Sequence, residues 1–188
     1  MPKPRSSRRS ASVDLSRLPL RSTTDGEFQV VIETPKGSRN KYAFDPDARV
    51  FRLKKVMPSG MAFPYDFGFL PSTRGEDGDP VDVLVLMDEP AFAGCVMSCR
   101  LIGAIVAEQE DQDGKKERND RLVAVEALNH AYATVTHISE LGKKFIRELE
   151  AFFVNYHELS SEKFHIRSIV GPAKARKLAK AGRTGRRG

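Results

Sequence analysis

Along the chain, apolar positions alternate first and change period later. EFQVVIE (27–33) alternates and then turns wholly apolar, NKYAF (40–44) follows a Pro-Lys-Gly turn, and RVFRLKKVM (49–57) follows the turn Asp45-Pro46-Asp47. VDVLVLM (81–87), CVMSCRLIGAIVAE (95–108) and RLVAVEA (121–127) add three more runs. Successive side chains of a strand face opposite sides, so short β-branched and aromatic runs between polar turns predict strands. The period changes in ISELGKKFIRELEAFFVNYHEL (138–159). There Leu141, Phe145, Leu149, Phe152, Tyr156 and Leu159 recur every three or four residues, the spacing of one helix face, and Ser139 is the expected N-cap. A second, shorter helix is expected over 172–181, with Pro172 in its first turn and Gly182 just past its end. Many short strands with few helices predict an α+β, mainly β fold: an antiparallel barrel with flanking helices. There is no internal repeat.

Composition narrows the class. The chain has 188 residues, of which 40% are hydrophobic, enough for one core with decorated ends. No apolar run approaches the ~20 residues that cross a bilayer, and the N-terminus lacks the apolar core of a secretory signal, so a cytoplasmic location without membrane association is expected. Cys95 and Cys99 lie four apart on one predicted strand. That spacing puts them on one face about 13 Å apart, too far for a disulfide, so both read as core thiols. Neither zinc-ligand spacing nor a CxxC pair occurs.

The formal charge of +6 suggests nucleic acid until its distribution is examined. Residues 1–24 hold six basic groups and one acid, and residues 172–188 hold seven basic groups and none, leaving 18 bases against 24 acids between them. The chain therefore divides into a flexible basic N-terminal tail (1–24), an acidic barrel domain (25–171), and a basic C-terminal helix and tail (172–188). Nucleic-acid binding is not expected beyond weak contacts through the tails.

The candidate chemistry lies in GEDGDPVDVLVLM (75–87), where four carboxylates fall within seven residues. Asp77-Gly78-Asp79-Pro80 is turn chemistry: Asp caps its own backbone, Gly supplies unusual φ, and Pro fixes entry to the strand. Asp82 fits that account poorly, since it stands between Val81 and Val83 in an apolar run. Either it faces solvent on an amphipathic strand, or the turn brings Asp77 and Asp79 to it and a hard cation such as Mg²⁺ relieves their repulsion. An EF-hand is excluded, because a loop counted from Asp77 puts Asp82 at the glycine position and Asp88 at the glutamate position.

Asp77-Gly78-Asp79-Pro80-Val81-Asp82 resembles the signature of soluble family I inorganic pyrophosphatases. VVIETP (30–35), NKY (40–42), the M-x-F-P-x-x-F-G segment (61–68), CRLIGAI, LVAV (122–125) and AFFVNYHEL (151–159) follow in the family's order. The resemblance spans about residues 25–170. It implies a five-stranded, OB-like closed barrel with flanking helices that hydrolyses pyrophosphate to two orthophosphates with several Mg²⁺ ions (Mn²⁺ or Co²⁺ as substitutes), in bacteria commonly as a homo-hexamer. It further implies that Asp77 and Asp82 hold activating metals, that Asp79 is general base toward the attacking water, and that Glu33 holds substrate-associated metals through water. Lys41 and Tyr156 would contact phosphate.

Several positions depart from the family pattern. Ala43 stands where a glutamate is expected, Lys55 replaces a phosphate-binding arginine, and Phe63 and Phe67 replace tyrosines. Asn119, Asp120 and Arg121 stand where the family has aspartate, spacer and lysine, which makes Asn119 or Asp120 the candidate metal ligand and Arg121 a phosphate contact. Asp111, Asp113 and Glu117 compete for the same metal role. His157 replaces a phosphate-binding lysine. These changes remove or soften phosphate-facing donors, so slower turnover than in typical members, or a different metal preference, is expected. The competing readings are a weakened homologue that binds a phosphorylated ligand as sensor or scaffold, and a nucleic-acid-binding OB module.

Overall fold

The computed structural model describes residues 13–24 and 26–184. Nine strands and two α-helices follow in order: β1 (Phe28–Thr34), β2 (Asn40–Asp45), β3 (Val50–Val56), β4 (Asp66–Phe69), β5 (Asp82–Leu86), β6 (Val96–Glu110), β7 (Lys116–Arg118), β8 (Arg121–Glu126), α1 (Gly142–Glu158), β9 (Lys163–Val170) and α2 (Pro172–Ala181). β1, β4, β5, β8 and β6 pair in that order, and β6 returns to β1, closing a ring of five strands. One join departs from the expected antiparallel pattern: β5 and β8 run parallel, with Val83 opposite Leu122. β6 is long enough, at 15 residues, to pair β1 and β8 at one end and β7 and β9 at the other. β2 and β3 form a separate hairpin.

β5 and β8 read as continuous apolar runs because both of their faces are covered. Val83, Val85, Leu122 and Ala124 point into the ring with Phe28, Val30, Ile32 and Leu101, where Ala175 and Ala179 of α2 join them. Leu84, Leu86, Val123 and Val125 point outward against Met57, Phe63, Ile102 and the α1 residues Leu149 and Phe153. The end of the M-x-F-P-x-x-F-G segment becomes β4, a strand the period did not reveal. Its glycine is required there: a Cβ on Gly68 would stand 2.0 Å from the Val31 carbonyl oxygen across the pair with β1.

Helix α1 differs from expectation in two ways. Ser139 does not cap it; Ser139 lies in a 3-10 turn, Ile138–Leu141, capped by His137, whose N–H donates to the Glu140 carboxylate at 2.7 Å. The buried stripe is Leu149, Phe153 and His157, with Phe145, Phe152 and Tyr156 half-buried beside it and Leu159 exposed. Cys99 is buried and Cys95 partly so, and they form no disulfide. Residues 1–12 and 185–188, which hold most of the expected mobile tails, lie outside the described residues. The described part of the N-terminal segment does not run free: it makes a 3-10 turn, Leu15–Arg17, and Leu20 enters the core. Among the described residues no helix is long and apolar enough to cross a membrane.

Candidate active site

The loop from β4 to β5 is a self-bonded turn. Leu70 N–H donates to Val81 O at 2.9 Å, Gly75 N–H to Asp79 O at 2.7 Å, and Asp79 N–H to Asp77 Oδ1 at 3.1 Å. Gly78 takes φ of 90°, a backbone conformation that side chains resist. The Asp-Gly-Asp-Pro stretch is thus the turn its composition predicted. It delivers Asp82 to the first position of β5.

Facing that loop, Glu33 at the end of β1 is 7% exposed; its carboxylate accepts the Phe44 N–H at 2.7 Å and pairs with Lys41 Nζ at 3.3 Å. Lys41 Nζ also lies 4.0 Å from the centre of the Phe67 ring. Lys55 stands 4.6 Å over the Tyr156 ring and reaches the Ser160 hydroxyl. Arg121, at the start of β8, is buried among the rings of Phe67, Phe153 and Phe164, and its Nη1 meets Asp82 Oδ2 at 2.7 Å. The same nitrogen bonds the Asn119 side-chain oxygen.

Ten of the eleven residues predicted for the site line one cavity of about 950 Å³: Glu33, Lys41, Lys55, Asp77, Asp79, Asp82, Asn119, Arg121, Tyr156 and His157. Asp120 is the exception. Its Oδ1 accepts the Ala107 N–H at 3.2 Å and its Oδ2 pairs with Arg118 at 2.8 Å, so it braces β6 and faces a smaller pocket behind the loop. Of the other acids weighed in that stretch, Glu117 on β7 reaches the main cavity, whereas Asp111 closes the β6–β7 turn by accepting the N–H groups of Asp113 and Lys115. Ala43, Phe63 and Phe67 also line the cavity, so the departures from the family pattern fall inside the site.

Sequence reasoning missed one wall altogether. Asp14, Ser16 and Arg17 border the cavity, with Arg17 Nε 3.0 Å from Asp14 Oδ2. The available signal was Asp14 two residues before Ser16, a capping pattern that Asp14 fulfils by accepting the Ser16 N–H at 3.1 Å.

The electrostatics call for cations. Burial pushes the Glu33 and Asp77 carboxyls above the usual carboxylate range, and the Asp82 and Asp79 charges add to the shift at Asp77. Burial pushes the Tyr156 hydroxyl up to about 12, which keeps it a donor at neutral pH. The three aspartates do not close on a single point as expected: among the described residues no three His, Cys, Asp or Glu side chains form a ready ligand set. Asp77 Oδ1 is engaged by its turn and Asp82 by Arg121. That spread leaves room for ions held by one or two carboxylates each, not by a closed cage of protein ligands.

The inorganic pyrophosphatase family model matches residues 30–184. The chain belongs to the inorganic pyrophosphatase family. It is 40% identical over 150 residues to the inorganic pyrophosphatase of Synechocystis sp., covering 80% of this chain and 85% of that protein. It is 34% identical over 151 residues to that of Geobacillus stearothermophilus, covering 80% and 88%. Its fold matches the crystal structure of the Thermus thermophilus inorganic pyrophosphatase with a TM-score of 0.83 at 29% identity, covering 90% of this chain and 97% of that one. As a family member it is a metal-dependent hydrolase, and its five-strand ring matches the fold of the solved pyrophosphatase.

His157 departs furthest from a phosphate-binding lysine. It is 3% exposed, its ring lies parallel to Phe164 with centroids 4.7 Å apart, and its Nδ1 contacts Glu162 at 3.0 Å. Its Nε2 is buried and has no partner among the described residues. Burial, helped by the Arg121 charge, pushes the imidazole down to about 4, despite Glu162. A group whose folded pKa lies below its unfolded value supports the fold above the unfolded pKa, near 6.5, and that support is lost as pH falls toward 4. Stability is expected to drop by about 3 kcal/mol across that interval. His157→Gln should flatten this part of a stability-against-pH curve, read by urea unfolding; an unchanged slope would show that another group carries it.

Proposed function

We propose that the cavity hydrolyses inorganic pyrophosphate to two orthophosphates, with Asp79 as base and Mg²⁺ as the physiological ion. The observation that carries the reading is the meeting of Glu33, Asp77, Asp79 and Asp82 with Lys41, Lys55, Arg121 and the Tyr156 hydroxyl in one cavity of a chain that belongs to this family. Glu33, Asp77 and Asp82 are the proposed metal ligands, with the Asn119 amide oxygen and Glu117 as neighbouring donors. Bound there, divalent ions would neutralise phosphoryl oxygens and lower the pKa of a coordinated water. Asp79 takes the proton of the attacking water, and its carboxylate accepts no hydrogen bond from the other described residues. Lys41, Lys55 and Arg121 hold phosphate oxygens by charge, and Tyr156 donates to the leaving phosphate. His157 is too enclosed to grip phosphate as a lysine would; it packs behind Tyr156 and Arg121 instead.

Three replacements soften this site. Phe63 and Phe67 offer Lys41 a ring face where a hydroxyl would offer a hydrogen bond, and Lys55 is a point charge where a guanidinium would make a forked contact. Slower turnover than in typical relatives follows. Lys55→Arg is expected to raise kcat/KM about fivefold, read by initial rates; a decrease would mean that the packing of Lys55 on Tyr156 matters more than forked contact.

The metal assignment is tested by phosphate release with Mg²⁺, Mn²⁺, Co²⁺ or chelator. Release is expected with each ion, fastest with Mg²⁺, and none with chelator; turnover in chelator would refute it. The proposal extends to a cytoplasmic protein that assembles as a homo-oligomer, a hexamer by resemblance. An apolar groove between α1 and β9, walled by Ile138, Ile146 and Ile169, is the face suited to contact between copies. Light scattering of the purified chain reads its mass directly.

A further inference from the structure

The acidic loop is tied down by both ends of the chain through one residue. Ser72 has a φ of 54°, in the left-handed region that a non-glycine residue occupies only when its surroundings enforce it. In that conformation its N–H donates to Ser16 O at 2.7 Å and its hydroxyl donates to Leu18 O at 2.8 Å, fastening the N-terminal segment. Its carbonyl accepts the Thr184 N–H at 3.0 Å, and the Arg74 N–H donates to Gly182 O at 2.6 Å, fastening the C-terminal end. Thr73 lies between these bonds, and its hydroxyl accepts the Val81 N–H at 3.0 Å, so the clasp continues into the stem of the turn that carries Asp77 and Asp79.

Both fastened ends are anchored elsewhere. Leu20 is buried in the barrel core and its carbonyl accepts the Gln29 N–H at 3.0 Å, while Ala175 and Ala179 seat α2 against the same core. Gly182 fits against the loop because it has no side chain: a Cβ there would lie 2.7 Å from Val81 Cγ2 and 3.2 Å from Arg74 O. The loop needs such support. Its internal bonds, the Asp77–Asp79 turn and the Gly75–Asp79 pair, are all short-range.

We infer that Ser72 is a positioning residue that clasps the two chain ends onto the acidic loop and thereby presets its carboxylates for divalent cations. Pyrophosphatase activity therefore depends on segments that contribute no ligand. This inference rests on the reading of the acidic loop as the metal-bearing part of the site. Ser72→Gly keeps the left-handed backbone accessible and removes only the hydroxyl bond, whereas Ser72→Asn tolerates that backbone and offers an amide N–H to Leu18 O. Gly182→Val attacks the clasp from the opposite end.

Mn²⁺ binding to the full-length chain, followed by electron paramagnetic resonance, is the test, with thermal unfolding and amide exchange over 73–82 in parallel. Ser72→Gly is expected to weaken Mn²⁺ binding about fivefold, the effect of one hydrogen bond, and to speed exchange at the Gly75 and Asp79 amides. Ser72→Asn should recover affinity to about twofold of the parent, and Gly182→Val should weaken it by at least as much as Ser72→Gly. A lowered melting temperature with unchanged Mn²⁺ affinity would overturn the inference by reducing Ser72 to a structural role, as would unaltered binding in both Ser72→Gly and Gly182→Val. If the parent chain itself bound no Mn²⁺, the metal reading of the loop would fall first, and this inference with it.

Discussion

Asp79→Asn is expected to lower kcat for pyrophosphate by 10² to 10⁴, roughly the contribution of a positioned general base, with KM nearly unchanged. Among Glu33, Asp77, Asp79 and Asp82, the other three carboxylates are committed: Glu33 to Lys41 and the Phe44 N–H, Asp77 to its turn, and Asp82 to Arg121. Asp79 takes part in the turn through its main chain, by the bond from its N–H to Asp77 and the acceptance of the Gly75 N–H by its carbonyl. Asparagine preserves both bonds. The melting temperature should therefore hold while the rate collapses, and a variant as fast as the parent would remove Asp79 from the chemistry.

The second large effect is expected at Arg121. Arg121→Met leaves Asp82 without its 2.7 Å partner and frees the Asn119 oxygen, in a place where the arginine side chain is 5% and the aspartate 22% exposed. Breaking a buried pair from one side destabilises by about 3 to 5 kcal/mol, and the solvent left to Asp82 puts this case near the lower figure. That corresponds to a fall of about 10 °C in the melting temperature. Activity should drop further, by 10² to 10³, because the phosphate loses a preorganised cation. The double variant Arg121→Met with Asp82→Leu separates the two losses: it should regain most of the stability, since an apolar pair suits the Phe67, Phe153 and Phe164 surroundings, and none of the rate. Recovered activity in the double variant would contradict the assignment of both residues.

Legibility in the sequence followed the physics of each segment. β1, β5, β6 and β8 were visible because barrel strands bury one or both faces and so leave alternating or continuous apolar runs. β4 was hidden in FPYDFGF, where a proline, a buried Asp66 and the contact glycine Gly68 break the pattern; Asp66 is tolerated because its carboxylate accepts the Lys36 N–H at 3.0 Å. β9 was hidden for the opposite reason, since among the described residues it pairs with β6 alone and just one of its side chains is fully buried. The parallel β5–β8 join leaves no mark in either strand. At the site, the turn chemistry of Asp77-Gly78-Asp79-Pro80 and the misfit of Asp82 in an apolar run were readable directly. Glu33, Lys41 and Tyr156 became site candidates only through family resemblance, because a strand-end acid, a hairpin lysine and a helix tyrosine carry no local signal. Choosing among Asn119, Asp120 and Glu117 required the contacts of the β7–β8 link, where Asp120 is drawn to the Ala107 N–H and Arg118 while Asn119 and Glu117 line the cavity.

The central claim is that the rewritten cavity still turns over pyrophosphate. Its most direct test measures phosphate release by the purified parent chain at saturating Mg²⁺, with pyrophosphate binding followed by calorimetry on the same preparation. Multiple turnovers are expected, at a rate below that of the Thermus thermophilus relative measured alongside. Tight pyrophosphate binding without phosphate release under any divalent ion would contradict the claim and leave a binding protein built on a hydrolase fold.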